Sequence, residues 1–111
     1  GVVVERKSQV IDSIIMHDTF ISPNCVIRDI ICDKDVYFGE DTICGEGDSH
    51  PNQDFPNLLK KGITVIGKGA RIPEKTKIGK NCLIYPDVTE GCFGKSIIDS
   101  GETVKGLYEE E

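Results

Sequence analysis

Aliphatic residues recur at every sixth position along much of the chain. Residues 66–89 divide into the blocks IGKGAR, IPEKTK, IGKNCL and IYPDVT, each opening with isoleucine and carrying a small or β-branched residue in fifth place. An amphipathic helix needs apolar spacings of three and four, and a hairpin strand needs alternation. A triangular coil of three short strands fits a spacing of six, with the aliphatic side chain pointing inward. The pattern therefore predicts an all-β parallel β-helix.

The same repeat extends back towards the N-terminus with a period of 17. Residues 10–26 align with residues 27–43, and the later turns lengthen to 18. Matching 38–44 with 66–72 places eleven inserted residues between them and predicts three columns of stacked positions. The columns are Val4, Ile21, Phe38, Ile66 and Ile84; Ser8, Cys25, Thr42, Ala70 and Val88; and Val10, Ile27, Cys44 and Ile72. Gly39, Gly67 and Gly79 fall where a Cβ would crowd a corner.

The length of the chain allows one domain, residues 1–111. We expect coils over 4–44 and 63–91, an extruded loop over 45–62 and a C-terminal extension over 92–111. The loop is rich in turn-forming residues, and Phe55, Leu58 and Leu59 within it fit either a functional loop or one that packs on the prism wall. Residues 96–98 are a candidate final strand, and residues 109–111 a solvated acidic tail.

Charge and composition exclude several classes of partner and site. The net charge of −6 argues against nucleic acid or an anionic membrane as the main partner. No apolar run approaches the roughly 18–20 residues of a membrane span, and no leader peptide is recognisable. The five cysteines form no CxxC pair, so we expect buried thiols in a reducing cytoplasm and no metal site.

Positive charge is concentrated in one segment. Residues 60–80 carry seven cations against the single acid Glu74, a net +6 that leaves −12 for the rest of the chain. Such a basic face can hold a phosphate or sugar phosphate, although polar corners are equally expected to be merely solvated. The candidate effector or anion-binding residues are Lys68, Arg71, Lys75, Lys77 and Lys80.

The repeat resembles the hexapeptide left-handed parallel β-helix family, and the handedness is implied by that resemblance alone. More specifically, two motifs are similar to the C-terminal region of ADP-glucose pyrophosphorylase (glucose-1-phosphate adenylyltransferase). The V-x-x-S-V-I motif matches Val10, Ser13, Ile14 and Ile15. The I-I-D-K-x-V-x-I-G motif matches Ile30, Ile31, Asp33, Lys34, Val36, Phe38 and Gly39, with Cys32 inserted. The resemblance extends from about residue 4 to residue 104 and includes GITVIGKGARIPEKTKIGKN and SGETV.

This resemblance implies an assembly and regulatory domain rather than a complete enzyme. The family's glycine-rich nucleotide loop and the carboxylates that hold Mg²⁺ belong to a catalytic domain absent from this chain, so no catalytic residue and no cofactor is expected here. The parent reaction would join ATP and glucose 1-phosphate to give ADP-glucose and pyrophosphate, for glycogen biosynthesis in the cytoplasm. The implied partners are the protein's own catalytic domain, other subunits of a homo-oligomer and a sugar-phosphate effector.

Two alternatives remain. Other hexapeptide proteins are acyltransferases in which a histidine acts as base for attack on an acyl-CoA thioester. His50 lies in the extruded loop where such a residue can occur, whereas His17 aligns with Lys34 at an outward polar position. A stand-alone acyltransferase or a non-catalytic β-helix scaffold would share this sequence pattern.

Overall fold

The computed structural model describes residues 1–106, which contain fourteen short β-strands and one 3₁₀ helix, Glu90–Cys92. The strands form three parallel sheets and are numbered in chain order. The first sheet contains β1 (Val3–Val4), β4 (Phe20–Ile21), β7 (Tyr37–Phe38) and β10 (Arg71–Ile72). The second contains β2 (Gln9–Ile11), β5 (Val26–Arg28), β8 (Ile43–Cys44), β11 (Lys77–Ile78) and β13 (Ile97–Ile98). The third contains β3 (Ile14–Ile15), β6 (Ile30–Cys32), β9 (Thr64–Ile66), β12 (Leu83–Ile84) and β14 (Thr103–Val104).

Successive strands pass from one sheet to the next, so the chain winds as a β-solenoid. The predicted all-β parallel architecture is confirmed. The leading aliphatic of each six-residue block points inward, and Ile21, Ile27, Phe38, Ile72 and Ile84 are fully buried. Burying such a side chain stabilises the fold by about 1.5–3 kcal/mol. The six-residue spacing therefore exists because each turn must supply one core residue to each of three walls.

The corners between sheets depend on residues in the left-handed region. Asp29, Asp35 and Asp41 have φ of 54°, 61° and 64°, and the six-residue spacing resumes at Lys75 and Asn81. Asp and Asn tolerate this conformation better than most other non-glycine residues. The predicted corner glycines serve a different purpose. A Cβ at Gly79, for example, would lie 2.6 Å from the backbone nitrogen of Ser100 in the next turn, which is the crowding the sequence predicts.

The predicted register is wrong across the loop, although the predicted stacking of Ile66 with Ile84 after the loop is confirmed. Phe38 pairs with Ile72 rather than with Ile66, and Ile66 pairs with Cys32. The other two predicted columns are displaced by the same six residues, since Cys44 pairs with Ile78 and not with Ile72. The chain leaves the solenoid after β8 in the second sheet and returns as β9 in the third. Because all three walls carry the same six-residue pattern, the sequence alone does not show at which wall the chain returns.

The solenoid continues into the predicted C-terminal extension. Ile97–Ile98 forms the strand expected at 96–98 and pairs with β11, but it is not the last strand, because Thr103–Val104 follows it and pairs with β12. The acidic residues 109–111 lie outside the described residues. Within residues 1–106 no helix has the length and apolarity needed to cross a membrane.

Candidate functional site

The extruded loop forms one wall of a cleft against the outward side of the second sheet. The cleft, called the loop cleft below, has a volume of about 570 Å³, within the range of small-molecule sites. Its floor is formed by Ile43, Lys77 and Ile97, and the cleft is also lined by His50 and by three carboxylates, those of Glu46, Asp48 and Asp99. Charged side chains that converge beside apolar surface are suited to binding a small ligand.

Lys77 occupies the centre of the floor. It pairs in register with Ile43 on one side and Ile97 on the other, so its aliphatic stem runs between two isoleucines. No described residue forms an ion pair with its ammonium group. The Lys77 side chain is therefore available to an anionic group that enters the cleft.

Two buried asparagines hold the loop in place. Asn52 and Asn81 are both fully buried. The Asn81 side chain accepts a hydrogen bond from the backbone nitrogen of Gly62 at 2.7 Å and donates one to the carbonyl oxygen of His50 at 2.8 Å. These two hydrogen bonds hold the early and the late part of the loop against one corner of the solenoid. The loop therefore has a defined position as one wall of the cleft.

Asn52 makes the complementary set of contacts from within the loop. Its side-chain nitrogen donates to the carbonyl oxygen of Asn81 at 3.0 Å, and its side-chain oxygen accepts from the backbone nitrogens of Asp54 and Phe55 at 2.9 Å. Gly101, at φ +87°, allows the loop to approach, because a Cβ there would lie 2.5 Å from the carbonyl oxygen of Pro51. A buried amide is stable only with such satisfied partners.

Sequence reasoning missed both asparagines. Asn81 had a readable signal, since it lies six residues after Lys75 and six before Asp87 in the series of left-handed corners. Asn52 had none, because an asparagine in a loop rich in turn formers is unremarkable until its burial is known. Of the loop's apolar residues, Leu58 is 79% exposed and Phe55 39% exposed. These two side chains therefore contribute little to covering the prism wall.

The two histidines do not form a common site. His50 is 72% exposed with its Nε2 3.8 Å from a carboxylate oxygen of Asp48. His17 is 63% exposed and lies beside Asp18 at another corner. His50 thus lines the loop cleft next to a carboxylate, but within residues 1–106 no partner lies within hydrogen-bond distance of its side chain.

The five predicted anion-binding cations are spread around one full turn of the solenoid. Arg71 donates to the carbonyl oxygen of Asp35 at 2.6 Å, and Lys80 donates to that of Gly45 at 3.0 Å while lying 3.6 Å from the Asp29 carboxylate. Lys68 and Lys75 are exposed at different corners. Of the five, only Lys77 lines the loop cleft, so the structure does not bring them together as one patch.

The cysteines are core residues. All five are thiols, and four of them, Cys25, Cys32, Cys44 and Cys82, are buried. Burial raises the pKa of the Cys32 thiol to about 12 and raises that of Cys44 well above its usual value. Among the described residues no three His, Cys, Asp or Glu side chains are grouped so that they could hold a metal ion.

Comparisons with known proteins place this geometry in a family. The chain is 42% identical over 97 residues to a glucose-1-phosphate adenylyltransferase of Thermomicrobium roseum, covering 86% of this chain and 23% of that protein. It is 36% identical over 110 residues to the enzyme of the same name from Acetivibrio thermocellus, covering 93% of this chain and 26% of that protein. A third such enzyme, from Photobacterium profundum, is 38% identical over 71 residues, which are 62% of this chain and 17% of that protein.

The chain thus spans about a quarter of the length of the first two of these relatives. No solved structure matches it significantly. Residues 1–66 match the family model described as GlmU-like, C-terminal hexapeptide, in agreement with the six-residue repeat and the parallel solenoid. The chain belongs to the GlmU-like, C-terminal hexapeptide family.

Proposed function

We propose that this chain is the C-terminal assembly and regulatory domain of a glucose-1-phosphate adenylyltransferase. The observation that carries the proposal is the identity of 36–42% over most of this chain to enzymes of that name, of which it spans about a quarter. The parent reaction would convert ATP and glucose 1-phosphate to ADP-glucose and pyrophosphate, for glycogen synthesis in the cytoplasm. Mg²⁺ would belong to the catalytic domain.

Catalysis by another domain accords with the chemistry of the described residues. The two glycine-rich stretches, Gly45–Asp48 and Gly67–Ala70, lie in the extruded loop and at a corner, and neither leads into a helix that could hold nucleotide phosphates. The carboxylates that line the loop cleft are exposed. This domain would therefore influence the reaction through packing and ligand binding, not through contact with the reacting atoms.

The assembly role is supported by the first turn. β1, β2 and β3 are edge strands of their three sheets, and such edges leave backbone groups available for pairing. Val3, Val4, Ile14 and Met16 on this turn are 45%, 47%, 59% and 43% exposed. Several exposed apolar side chains on an edge turn are typical of an interface, which favours packing against a catalytic domain or a neighbouring subunit.

The regulatory role would centre on the loop cleft. An anionic effector such as a sugar phosphate would contact Lys77, whose side chain lines the cleft, while Asp48 can accept hydrogen bonds from hydroxyl groups. The remaining predicted cations would contribute through the general field at longer range.

The test is an assay of the full-length polypeptide that contains this chain. We expect ADP-glucose formation from ATP and glucose 1-phosphate, and a polypeptide several times heavier than 12.2 kDa. Ile14→Glu should shift the oligomer to smaller species in light scattering, whereas Asp12→Asn, at an exposed corner, should not. A native polypeptide of this size that lacks nucleotidyl transfer but turns over acetyl-CoA, with loss in His50→Ala, would contradict the proposal.

A further inference from the structure

The outward side of the first sheet carries a second recess, which no residue of the extruded loop lines. It has a volume of about 390 Å³ and is lined by Phe20 and Tyr37 together with Glu40, Glu74 and Glu90. This set, called the aromatic recess below, combines ring surface with three carboxylates. No function described above uses it.

The aromatic part is fixed by packing. The rings of Phe20 and Tyr37 are stacked, with centroids 5.7 Å apart and planes inclined by 6°. The Tyr37 hydroxyl accepts a hydrogen bond of 3.2 Å from Ser22, which is only 4% exposed. Phe20 covers one face of the Tyr37 ring, yet Tyr37 remains 38% exposed. The Tyr37 ring is thus held in a fixed orientation and still has exposed surface that a ligand could contact.

The cation next to Tyr37 in the sheet is already engaged elsewhere. Arg71 pairs with Tyr37 in register, but its guanidinium lies 3.4 Å from the carboxylate of Asp35 and donates to the carbonyl oxygen of the same residue. Arg71 does not line the recess, so the surface beside the Tyr37 ring is left without a cation from the neighbouring strand.

The carboxylates that line the recess lack ion-pair partners among the described residues. Glu40 and Glu74 occupy stacked corners of adjacent turns, since the carbonyl oxygen of Glu40 accepts a hydrogen bond from the backbone nitrogen of Lys75 at 2.8 Å. Like charges on neighbouring strands are destabilising. A cation placed between these carboxylates would relieve that repulsion. Lys75 follows Glu74 but does not line the recess.

We propose that the aromatic recess docks an arginine side chain presented by a partner protein. A guanidinium group can stack on an aromatic ring while its forked donors reach carboxylates at the side. The apolar neighbours on the same sheet, including Val3 at 45% exposure, suit the residues that flank such an arginine. A lysine ammonium would meet the carboxylates as a point charge but would stack less well. The site is independent of the parent reaction proposed above.

The test uses the full-length polypeptide and the dye-labelled peptide acetyl-Leu-Arg-Leu-amide, with binding followed by fluorescence anisotropy. We expect Glu74→Gln/Glu90→Gln to weaken binding about tenfold, because the variant loses two carboxylates that can accept charge-assisted hydrogen bonds from the guanidinium group. Tyr37→Leu, which keeps an apolar side chain, should weaken binding roughly fivefold through loss of the ring. The peptide with lysine in place of arginine should bind more weakly.

The matched control is Glu46→Gln/Asp48→Asn, which removes the same number of charges from the exposed loop. Equal weakening by this control would show non-specific attraction to an acidic surface and would overturn the proposal. Binding that is equal for the arginine and lysine peptides, or absent for both, would do the same. Free guanidinium ion that competes as strongly as the peptide would show a site for small cations instead of a docking site. Thermal melts of each variant verify that it is folded.

Discussion

The side-chain nitrogen of Asn52 lies 3.0 Å from the carbonyl oxygen of Asn81, and both residues are fully buried. One belongs to the extruded loop and the other to a corner of the solenoid, so this hydrogen bond joins the wall of the loop cleft to the rigid core. The same Asn52 nitrogen also lies 3.2 Å from the hydroxyl of Thr103 in the last described strand. Loop, corner and final turn therefore stabilise one another through a single amide.

Asn52→Ala should lower the free energy of unfolding by about 2–4 kcal/mol, because one buried and two part-buried backbone groups lose their hydrogen-bond partner. The groups affected are the carbonyl oxygen of Asn81 and the backbone nitrogens of Asp54 and Phe55. Urea unfolding measures the change. Limited proteolysis should also show faster cleavage within the loop, residues 45–63.

Gln53→Ala is the matched control for this substitution. The Gln53 side chain is exposed, and the hydrogen bond to the carbonyl oxygen of Gly101 comes from its backbone nitrogen. We expect a change within about 0.5 kcal/mol. If the two variants unfold at the same urea concentration, the buried amide does not hold the loop.

Inward and outward positions on one strand should respond differently to the same charge. Ile78 is 1% exposed, while its neighbour Lys77 points outward. Ile78→Asp would bury a carboxylate without a partner and should cost several kcal/mol, roughly 3–5 kcal/mol by analogy with other unpaired buried charges. Lys77→Asp should cost less than about 1 kcal/mol. Thermal unfolding monitored by circular dichroism compares them, and similar melting temperatures would contradict the assigned orientation.

The anion-binding prediction can be tested by comparing two lysines of the same turn. Lys77→Glu removes the cation on the floor of the loop cleft, whereas Lys75→Glu changes the charge by the same amount at an exposed corner. If an effector phosphate binds in the cleft, glucose 6-phosphate should lose about tenfold in affinity with the first variant only, since a charge-assisted contact is worth about 1.4 kcal/mol or more. Calorimetric titration of the full-length polypeptide provides the comparison. Equal affinities for the two variants would contradict a phosphate site at Lys77.

The six-residue repeat predicted the class of fold and the inward-facing positions, but it did not predict the register of the strands after the loop. Isoleucine at 66, 72, 78 and 84 fixed the inward positions, and each is buried. The same residues could not fix the register, because Ile66 and Ile72 are equivalent in sequence but lie on the third and first sheets. Only pairing across the loop distinguishes them, and that pairing depends on contacts such as those of Asn52.

The candidate site was less predictable for a related reason. A run of lysines in sequence is not a patch on a solenoid, because each six-residue step moves the chain to another face. Lys68, Arg71 and Lys77 therefore face different surroundings although they lie within ten positions of one another. The loop cleft was not predictable from spacing, since it depends on how the extruded loop folds back against Ile43 and Ile97.

Gly79→Ala should destabilise the solenoid through steric contact alone. A Cβ at this position would lie 2.6 Å from the backbone nitrogen of Ser100 and 2.8 Å from its Cα, atoms that cannot move without displacing the next turn. We expect a loss of about 1–3 kcal/mol, as in other overpacked interiors. Gly91→Ala is the control, because a Cβ there would approach nothing closer than the Thr89 hydroxyl at 3.9 Å. Equal stability of the two variants would show that adjacent turns are less tightly stacked than described.

The buried thiol of Cys32 should make stability depend on pH above neutrality. Burial raises the pKa of Cys32 from 9.0 to about 12. Below pH 9 the thiol is protonated in both the folded and the unfolded state, so it does not make the free energy of unfolding depend on pH. Between pH 9 and 12 the unfolded thiol ionises while the folded one stays protonated, so the unfolded state binds fewer protons and stability falls as pH rises. The contribution approaches about 1.4 kcal/mol per pH unit.

The measurement is the free energy of unfolding at pH 8 to 11 under reducing conditions, for the wild type and for Cys32→Val. Lysine and tyrosine ionisation affects both proteins, so the difference between their slopes isolates the thiol. We expect the free energy of unfolding to fall less steeply with rising pH in Cys32→Val than in the wild type. Parallel slopes for the wild type and Cys32→Val would show that Cys32 does not carry this pH dependence.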